Sequence, residues 1–272
     1  LGERLDAGPY IRPRGTDFET GHRMTAPRRL AANDIALLAA MNVATVPVTR
    51  RPKVALIATG DELVMPGETP GPDQILVSNT FGLHALLQDL GAMPRLLPIA
   101  RDTEASLSLV FDLIDDADLV ITVGGASVGD HDLVAKVAAD RGLQRAFHKV
   151  AMRPGKPLMS GRLGQAMMIG LPGNPVSAMV CGHVFVAPVI RALQGLPAAS
   201  AARSDAPLAA PIGPNGPREH YMRATLGQDG LRIFGRQDSS LLSVLGRANA
   251  LVIRPVRDAA RAAGEMVDYI PL

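Results

Sequence analysis

The chain has 272 residues, 47% of them hydrophobic, and carries 28 basic against 26 acidic side chains. That length supports a large buried core and about two domains. The near balance of charge excludes the basic or acidic excess that is typical of nucleic-acid-binding and membrane-surface proteins, so any anion site must be local. We therefore expect neither a nucleic acid nor a membrane as partner.

Cysteine content and hydropathy both favour a cytoplasmic protein. Cys181 is the only cysteine, which excludes an internal disulfide and a cysteine-based zinc cluster. No uninterrupted apolar stretch reaches the roughly 20 residues of a membrane helix, because Pro175, His183 and Pro188 interrupt the longest candidate. The chain begins at Leu1 without the pattern of a signal peptide, and we expect it to be a fragment.

Residues 1–50 are rich in Arg, Pro and Gly and are predicted to form an N-terminal return segment of an incomplete leading domain. Apolar residues at helical spacing predict a helix at 32–41. Alternation of apolar and polar residues predicts a strand at 44–48.

Strand and helix patterns alternate over residues 51–197. Apolar runs predict strands at 54–58, 96–99, 119–123 and 167–169 and a short extended piece at 147–150; helical spacing predicts helices at 79–90, 103–114, 132–140 and from 175 onwards. Repeated strand-then-helix units imply right-handed crossovers. We therefore predict a three-layer α/β domain, a mostly parallel sheet flanked by helices. An Ala- and Pro-rich connector follows, and short alternating segments predict a small β-rich domain at 205–272.

Unusual residues are concentrated just after the predicted strands, where an open α/β sheet binds its ligands. These residues are Thr59, Gly60, Asp61 and Glu62 after the first strand, Arg101 and Asp102 after the second, residues 124–132 after the third, and Pro172, Gly173 and Asn174 after the last.

The loop after the third strand is suited to hold a phosphate. A backbone without Cβ can approach a phosphate closely, and Gly124, Gly125, Ser127 and Gly129 fit that role. The loop is neither a Walker loop nor a dinucleotide fingerprint, since both spacings are absent. A tight strand-to-helix turn without ligand is the alternative.

Three cations, Lys149, Arg153 and Lys156, lie in a segment stiffened by two prolines, which fixes where the side chains point. Such a frame suits a polyanion. The alternative is a solvated basic turn.

Five acids, Asp61, Glu62, Asp102, Asp130 and Asp132, are predicted to converge on the same sheet edge as the cations. Several carboxylates can stay ionised close together if a divalent cation lies between them and compensates their repulsion. Magnesium is the candidate cation. Helix capping competes for each acid: Asp102 or Thr103 can cap one helix, and Asp130 or Asp132 the next.

Four motifs taken together resemble the molybdopterin molybdenumtransferase family, which includes bacterial enzymes and the E domain of gephyrin. They are TGDEL at 59–63, GGASVGD at 124–130, RPGKP at 153–157 and LPGNPVS at 171–177. The resemblance extends to residues 11–18 and to the C-terminal segments, so it covers essentially the whole chain.

The resemblance implies an enzyme that inserts molybdate into adenylylated molybdopterin and releases AMP, with magnesium as cofactor, in an elongated homodimer. Matched position by position, the functional acids of the family fall on Glu62, Asp102 and Asp132, its basic residues on Lys149 and Arg153, and its C-terminal contributors on Arg223 and Ser239.

Metal ligation is assigned to Asp61, Glu62 and Asp102, and substrate binding to the strand-end loops with Asp130 and Lys156. The family's Asn and Glu in the leading segment are replaced by Tyr10 and Thr16.

Two other functions stay open. The fold can serve as a non-catalytic or adenylylating molybdopterin-binding or scaffold module, because fold does not fix function. An unrelated phosphate-binding α/β hydrolase would release AMP from simple nucleotides without any dependence on pterin.

Overall fold

The computed structural model describes residues 12–125 and 133–272, which divide into two compact units, Leu1–Val46 and Pro47–Leu272. The helix of the first unit is α1 (Ala32–Ala40), close to the predicted bounds. At its start the backbone N–H of Ala31 donates to the Asp34 carboxylate at 2.8 Å. The strand predicted at 44–48 is wrong: no described strand pairs with it, Pro47 has no N–H to donate, and Val48 is 72% exposed.

The second unit contains the remaining elements. Its strands are β1 (Lys53–Ala58), β2 (Leu63–Val64), β3 (Ile75–Leu76), β4 (Met93–Leu96), β5 (Leu119–Val123), β6 (Leu143–His148), β7 (Met152–Arg153), β8 (Met159–Leu163), β9 (Ala166–Leu171), β10 (Ser204–Pro207), β11 (Glu219–Gly227), β12 (Gly230–Ile233), β13 (Ala250–Arg254) and β14 (Met266–Pro271). Its helices are α2 (Asn79–Asp89), α3 (Glu104–Phe111), α4 (Leu133–Asp140), α5 (Pro175–Cys181), α6 (Ala187–Leu193) and α7 (Leu242–Leu245).

The central sheet has the strand order β4-β1-β5-β9-β8-β6. The first four strands are parallel, and β8 and β6 add an antiparallel edge. Neighbouring residues of β1 point to opposite faces: Leu56 joins a core with α2 and α5, whereas Ile57 joins a core with α3 and α4. The predicted three-layer, mostly parallel α/β domain is thus confirmed.

The antiparallel edge of the sheet differs from the prediction. The sequence predicted no strand at β8, because Gly161 and Arg162 interrupt its apolar character, and its short extended piece at 147–150 overlaps only the last two residues of β6. At the opposite edge β4 begins at Met93 and ends at Leu96, earlier than the predicted 96–99, because Pro94 and Arg95 interrupt the apolar character by which a strand is recognised.

Residues Pro175–Leu193 form one continuous helix, long and apolar enough to cross a membrane by length and composition alone. A π-helical segment, Gly182–Val186, joins α5 to α6. It precedes Pro188, whose missing N–H and ring disturb regular helical bonding, so the wider turn accommodates the proline that the sequence suggested as a break. The helix contributes Val176, Val180 and Ile190 to the core against the sheet.

The C-terminal module is an antiparallel sheet of order β10-β14-β13-β11-β12, which confirms the predicted β-rich domain. It is joined to the central domain in two ways. Strand β7 pairs in parallel with β11, and Tyr221, Leu251 and Ile270 of the module are buried in the same core as α2 and α5.

Candidate functional site

A cavity of about 790 Å³ lies at the carboxyl ends of β1, β5 and β9. Nine of the predicted site residues line it: Thr59, Gly60, Glu62, Asp102, Gly124, Gly125, Pro172, Gly173 and Asn174. Six others, Asp61, Lys149, Arg153, Lys156, Arg223 and Ser239, are not among its lining residues. Ser127, Gly129, Asp130 and Asp132 lie outside the described residues.

The floor of the cavity is built where β1 and β5 end side by side. The N–H of Thr59 donates to the carbonyl of Val123 at 3.0 Å, and the N–H of Gly124 donates to the carbonyl of Leu171 at 3.1 Å. Gly124 has φ 98°, and a Cβ there would collide with the Thr59 carbonyl. A residue with a side chain is therefore excluded on both backbone and packing grounds.

The Thr59 hydroxyl is a buried polar group without a partner. Thr59 is 3% exposed, and its Oγ1 has no hydrogen bond to any part of the chain that the structure describes. Buried hydroxyls are almost always paired, so an exception of this kind at a cavity wall calls for an explanation, and a bound ligand is one that the cavity allows. The hydroxyl lies beside Gly124 and Gly125, so it can bond an oxygen-rich group held there.

Two loops carry the acids of the site. The N–H of Asp102 donates to Oδ1 of Asp61 at 3.0 Å, which ties the loop after β4 to the loop after β1. The cap of α3 is Thr103, whose hydroxyl accepts from the N–H of Ser106 at 3.2 Å. The carboxylate of Asp102 is therefore left to face the cavity.

Glu62 and Asp102 form no ion pair with any residue that the structure describes. In the same part of the chain no three His, Cys, Asp or Glu side chains come together as a self-contained metal centre. A cation bound here would need further oxygen ligands from a substrate or water.

Arg101 follows the second predicted strand, and the sequence analysis gave it no role; in the structure its guanidinium contacts the backbone of the loop after β1. Its Nη1 donates to the carbonyls of Gly60 at 3.3 Å, Asp61 at 3.0 Å and Leu63 at 3.0 Å. Its position directly before Asp102, at the end of a predicted strand, was the available indication.

A third loop closes the cavity from β9. The Nδ2 of Asn79, at the start of α2, donates to the carbonyl of Gly173 at 2.6 Å. Asn174 occupies the predicted cap position of α5 but makes no side-chain cap hydrogen bond. The N–H of Val176 donates instead to the carbonyl of Ser239 at 3.1 Å, and Ser240 lines the cavity.

The opposite wall is apolar and was also missed. Strands β2 and β3 pair in parallel and present Leu63, Ile75 and Leu76 to the cavity. Val77, just after β3, and Leu133 and Val134 of α4 complete this wall. Two-residue strands give too short a pattern to be recognised in a sequence.

The predicted cations occupy an exposed loop. The N–H of Lys149 donates to the carbonyl of Leu158 at 2.8 Å, and that of Val150 to the carbonyl of Lys156 at 3.0 Å, which closes the segment on itself. Pro157, next to Lys156, reaches the cavity wall. Arg153 lies in β7, in register with His220 of β11.

Arg223 is 1% exposed and supports a loop. Its Nη1 donates to the carbonyls of Asp238 at 2.9 Å and Leu241 at 3.4 Å, and its Nε to Oε1 of Gln237 at 3.2 Å. The loop so held contains Ser239 and Ser240. In this structure Arg223 therefore acts on the cavity through the loop.

Comparison with known proteins places the fold and site in a family. Residues 55–192 match the family described as probable molybdopterin binding domain, and residues 205–272 match the MoeA C-terminal region, domain IV. A molybdopterin molybdenumtransferase from Nostoc sp. is 37% identical over 97% of this chain and 63% of its own length. Molybdopterin molybdenumtransferase 2 from Mycobacterium tuberculosis is 36% identical over 97% of this chain and 67% of its own length.

A solved structure of a molybdopterin biosynthesis MoeA protein from Pyrococcus horikoshii superposes with a TM-score of 0.76 at 28% identity, covering 90% of this chain and 60% of that one. The chain thus spans about two thirds of the length of the curated relatives it matches. The sequence matches run through both the cavity-forming domain and the C-terminal module. The chain therefore belongs to the molybdopterin molybdenumtransferase family.

Proposed function

We propose that the chain inserts molybdate into adenylylated molybdopterin and releases AMP in a magnesium-dependent reaction. The observation that carries this proposal is the cavity itself, which is lined by a glycine-rich floor with the buried hydroxyl of Thr59 and by Glu62 and Asp102. None of these three side chains forms a hydrogen bond or ion pair within the described residues. The names of the related transferases support the transfer of molybdenum to molybdopterin.

The two walls of the cavity suit the two parts of such a substrate. The Thr59 hydroxyl and the backbone at Gly125 face the space where a phosphate oxygen would accept hydrogen bonds. The apolar wall at Ile75 and Leu76 suits the pterin ring system. Lys149, Arg153 and Lys156 are proposed to neutralise pyrophosphate or molybdate, and Ser239 to contribute from the C-terminal loop.

The residues present fit a magnesium ion that is completed by substrate. Magnesium is commonly held by one or two carboxylates together with phosphate oxygens and water, and Glu62 and Asp102 supply two carboxylates that form no ion pair within the described residues. When bound, the ion provides Lewis-acid stabilisation of charge on the phosphate. Asp61 is engaged by the N–H of Asp102, so its first role is to hold Asp102 in place.

The proposal includes a cytoplasmic homodimer with a pterin as its small-molecule partner and with neither nucleic acid nor membrane as partner. The charge balance and the burial of the long helix against the sheet support that environment. Light scattering of the purified chain tests the dimer.

The activity is tested by incubating the purified chain with adenylylated molybdopterin, molybdate and magnesium while following AMP release and cofactor formation. Asp102→Ala should lose AMP release and still bind the pterin. Asp115→Ala, an exposed acid away from the cavity lining, is the matched control and should behave as the parent chain does.

Full AMP release by Asp102→Ala would refute the assignment of that carboxylate. Pterin binding without turnover by the parent chain would select the binding-module alternative. AMP release from simple nucleotides, independent of pterin, would select the hydrolase alternative.

A further inference from the structure

The guanidinium of Arg101 is directed at backbone and not at the acids around it. One nitrogen, Nη1, meets the carbonyls of Gly60, Asp61 and Leu63, and no ion pair within the described residues includes Arg101. We propose that Arg101 is the positioning residue of the site, which fixes the backbone of residues 60–63 so that Glu62 faces Asp102 across the cavity. This inference rests on the proposed function.

The arrangement of the three carbonyls is the first support. Carbonyl oxygens of consecutive residues repel one another when they point the same way, and an isolated loop would spread them. A permanently charged donor at their meeting point compensates that repulsion, because hydrogen bonds from ionised donors are stronger than neutral ones. The bonded carbonyls stand on both sides of Glu62 in the chain, so its peptide frame is held at both ends.

The second support is that Arg101 is itself fixed. Its N–H donates to Oγ of Ser106 at 2.9 Å, and the next N–H, that of Asp102, donates to Asp61. Behind it the N–H of Gly60 donates to the carbonyl of Ala100 at 3.1 Å. The loops after β1 and β4 are thereby joined into one unit by both side-chain and backbone bonds.

The third support is electrostatic. A guanidinium paired with Glu62 or Asp102 would occupy the carboxylate oxygens and compete with a divalent cation. Arg101 donates to carbonyls and forms no ion pair within the described residues, so it does not occupy the oxygens of Glu62 or Asp102, which line the cavity. The arginine therefore orders the ligands without replacing the cation.

The test uses the full 272-residue chain. Arg101→Ala, Arg101→Lys and, as matched control, Arg95→Ala are compared; Arg95 also donates to a backbone carbonyl and lies outside the cavity lining. AMP release is measured against magnesium concentration, and binding of Mn²⁺ alone is measured by electron paramagnetic resonance. Thermal unfolding and a crystal structure of Arg101→Ala complete the set.

We expect Arg101→Ala to raise the magnesium concentration for half-maximal rate and to weaken Mn²⁺ binding, each about 10-fold or more, as loss of an orienting partner does. The rate at saturating magnesium should stay close to that of the parent chain. Arg101→Lys should recover part of the loss, because three carbonyls that meet at one point can also accept from an ammonium group. Arg95→Ala should change neither quantity.

A merely structural role predicts a different result: a lower unfolding temperature with unchanged magnesium and Mn²⁺ dependence, which would overturn the proposal. If the parent chain releases no AMP, the proposed function fails. Mn²⁺ binding and the crystal structure of Arg101→Ala then still test whether Arg101 positions residues 60–63. An unmoved 60–63 loop in Arg101→Ala would then overturn the proposal, and a displaced Glu62 would support it. If Arg101→Ala does not fold, the same comparisons with Arg101→Lys decide.

Discussion

Thr59 shows how far a single residue can be interpreted from sequence. Its position after an apolar run predicts a place at the carboxyl end of a strand, and the structure has it there. Its hydroxyl is buried and has no hydrogen-bond partner within the described residues, because β5 packs closely beside it. No local sequence pattern reveals that contact.

Thr59→Val should separate ligand binding from folding. Valine keeps the shape and removes the hydroxyl, so loss of a hydrogen bond to a charged oxygen should weaken pterin binding roughly 10- to 100-fold. The free energy of unfolding should stay the same or rise by up to about 2 kcal/mol, because a buried unpaired hydroxyl is unfavourable. Calorimetric titration and denaturant unfolding measure the two quantities.

Thr59→Ser, which retains the hydroxyl, is the control and should bind as the parent chain does. Equal affinity in the valine variant would remove Thr59 from the site.

Strand β8 represents the part of the fold that the sequence did not predict. The parallel strands β1 and β5 are buried on both faces, which demands continuous apolar runs that are easily recognised. Strand β8 contains Gly161 because a side chain there would meet the backbone of β6 at Gln144 and Arg145. A residue required by close strand contact looks like a loop residue in the sequence.

Gly161→Ala should therefore destabilise the protein although alanine is small. The added Cβ would lie 2.6 Å from the carbonyl oxygen of Gln144, which must move and carry β6 with it. We expect the free energy of unfolding to fall by about 1 to 3 kcal/mol, the usual cost of overpacking. Urea unfolding measures this change.

Gly213→Ala is the matched control for this variant, since no atom lies within 4 Å of a Cβ there. If both variants unfold at the same urea concentration as the parent chain, the contact between β6 and β8 is looser than described.

At the scale of the whole molecule, His220 of β11 lies where the C-terminal module pairs with the central domain through β7. It is 7% exposed and in register with Arg153 of β7. Burial lowers the pKa of His220 from 6.5 to about 4, and the charges of Arg153, Arg223, Arg254 and Arg218 add to the effect. The histidine is therefore neutral in the folded protein at neutral pH.

This lowered pKa makes the stability of the protein depend on pH. The unfolded chain binds a proton at His220 near pH 6.5 and the folded chain only near pH 4, so stability is lost as pH falls between these values. The loss should amount to about 1 to 3 kcal/mol. Denaturant unfolding from pH 7 to pH 4.5 measures it.

His220→Gln should flatten this pH dependence, whereas His22→Gln, exposed in the leading unit, should leave it as it is. If His220→Gln keeps the full pH dependence of the parent chain, the loss of stability at low pH comes from other groups. His183 is one such group, because burial lowers its pKa as well.

Across the molecule, sequence patterns predicted what depends on local periodicity and motif order. They gave the α/β class, the β-rich end and the loops that line most of the cavity. They did not reveal the carbonyl contacts of Arg101, the short strands β2 and β3, or the support of the Ser239 loop by Arg223, because each depends on contacts between distant segments. Glu62 and Asp102 were predicted from the loops in which they lie. That neither forms an ion pair within the described residues follows only from the folded arrangement.

The shared core has a practical consequence for dissecting the protein. Tyr221, Leu251 and Ile270 of the C-terminal module pack with the helices and strands of the central domain, and β7 loses its pairing partner without β11. A recombinant product ending at residue 197 would leave that apolar surface bare and invite self-association. Shortened versions of the protein should keep the C-terminal module if they are to remain monodisperse.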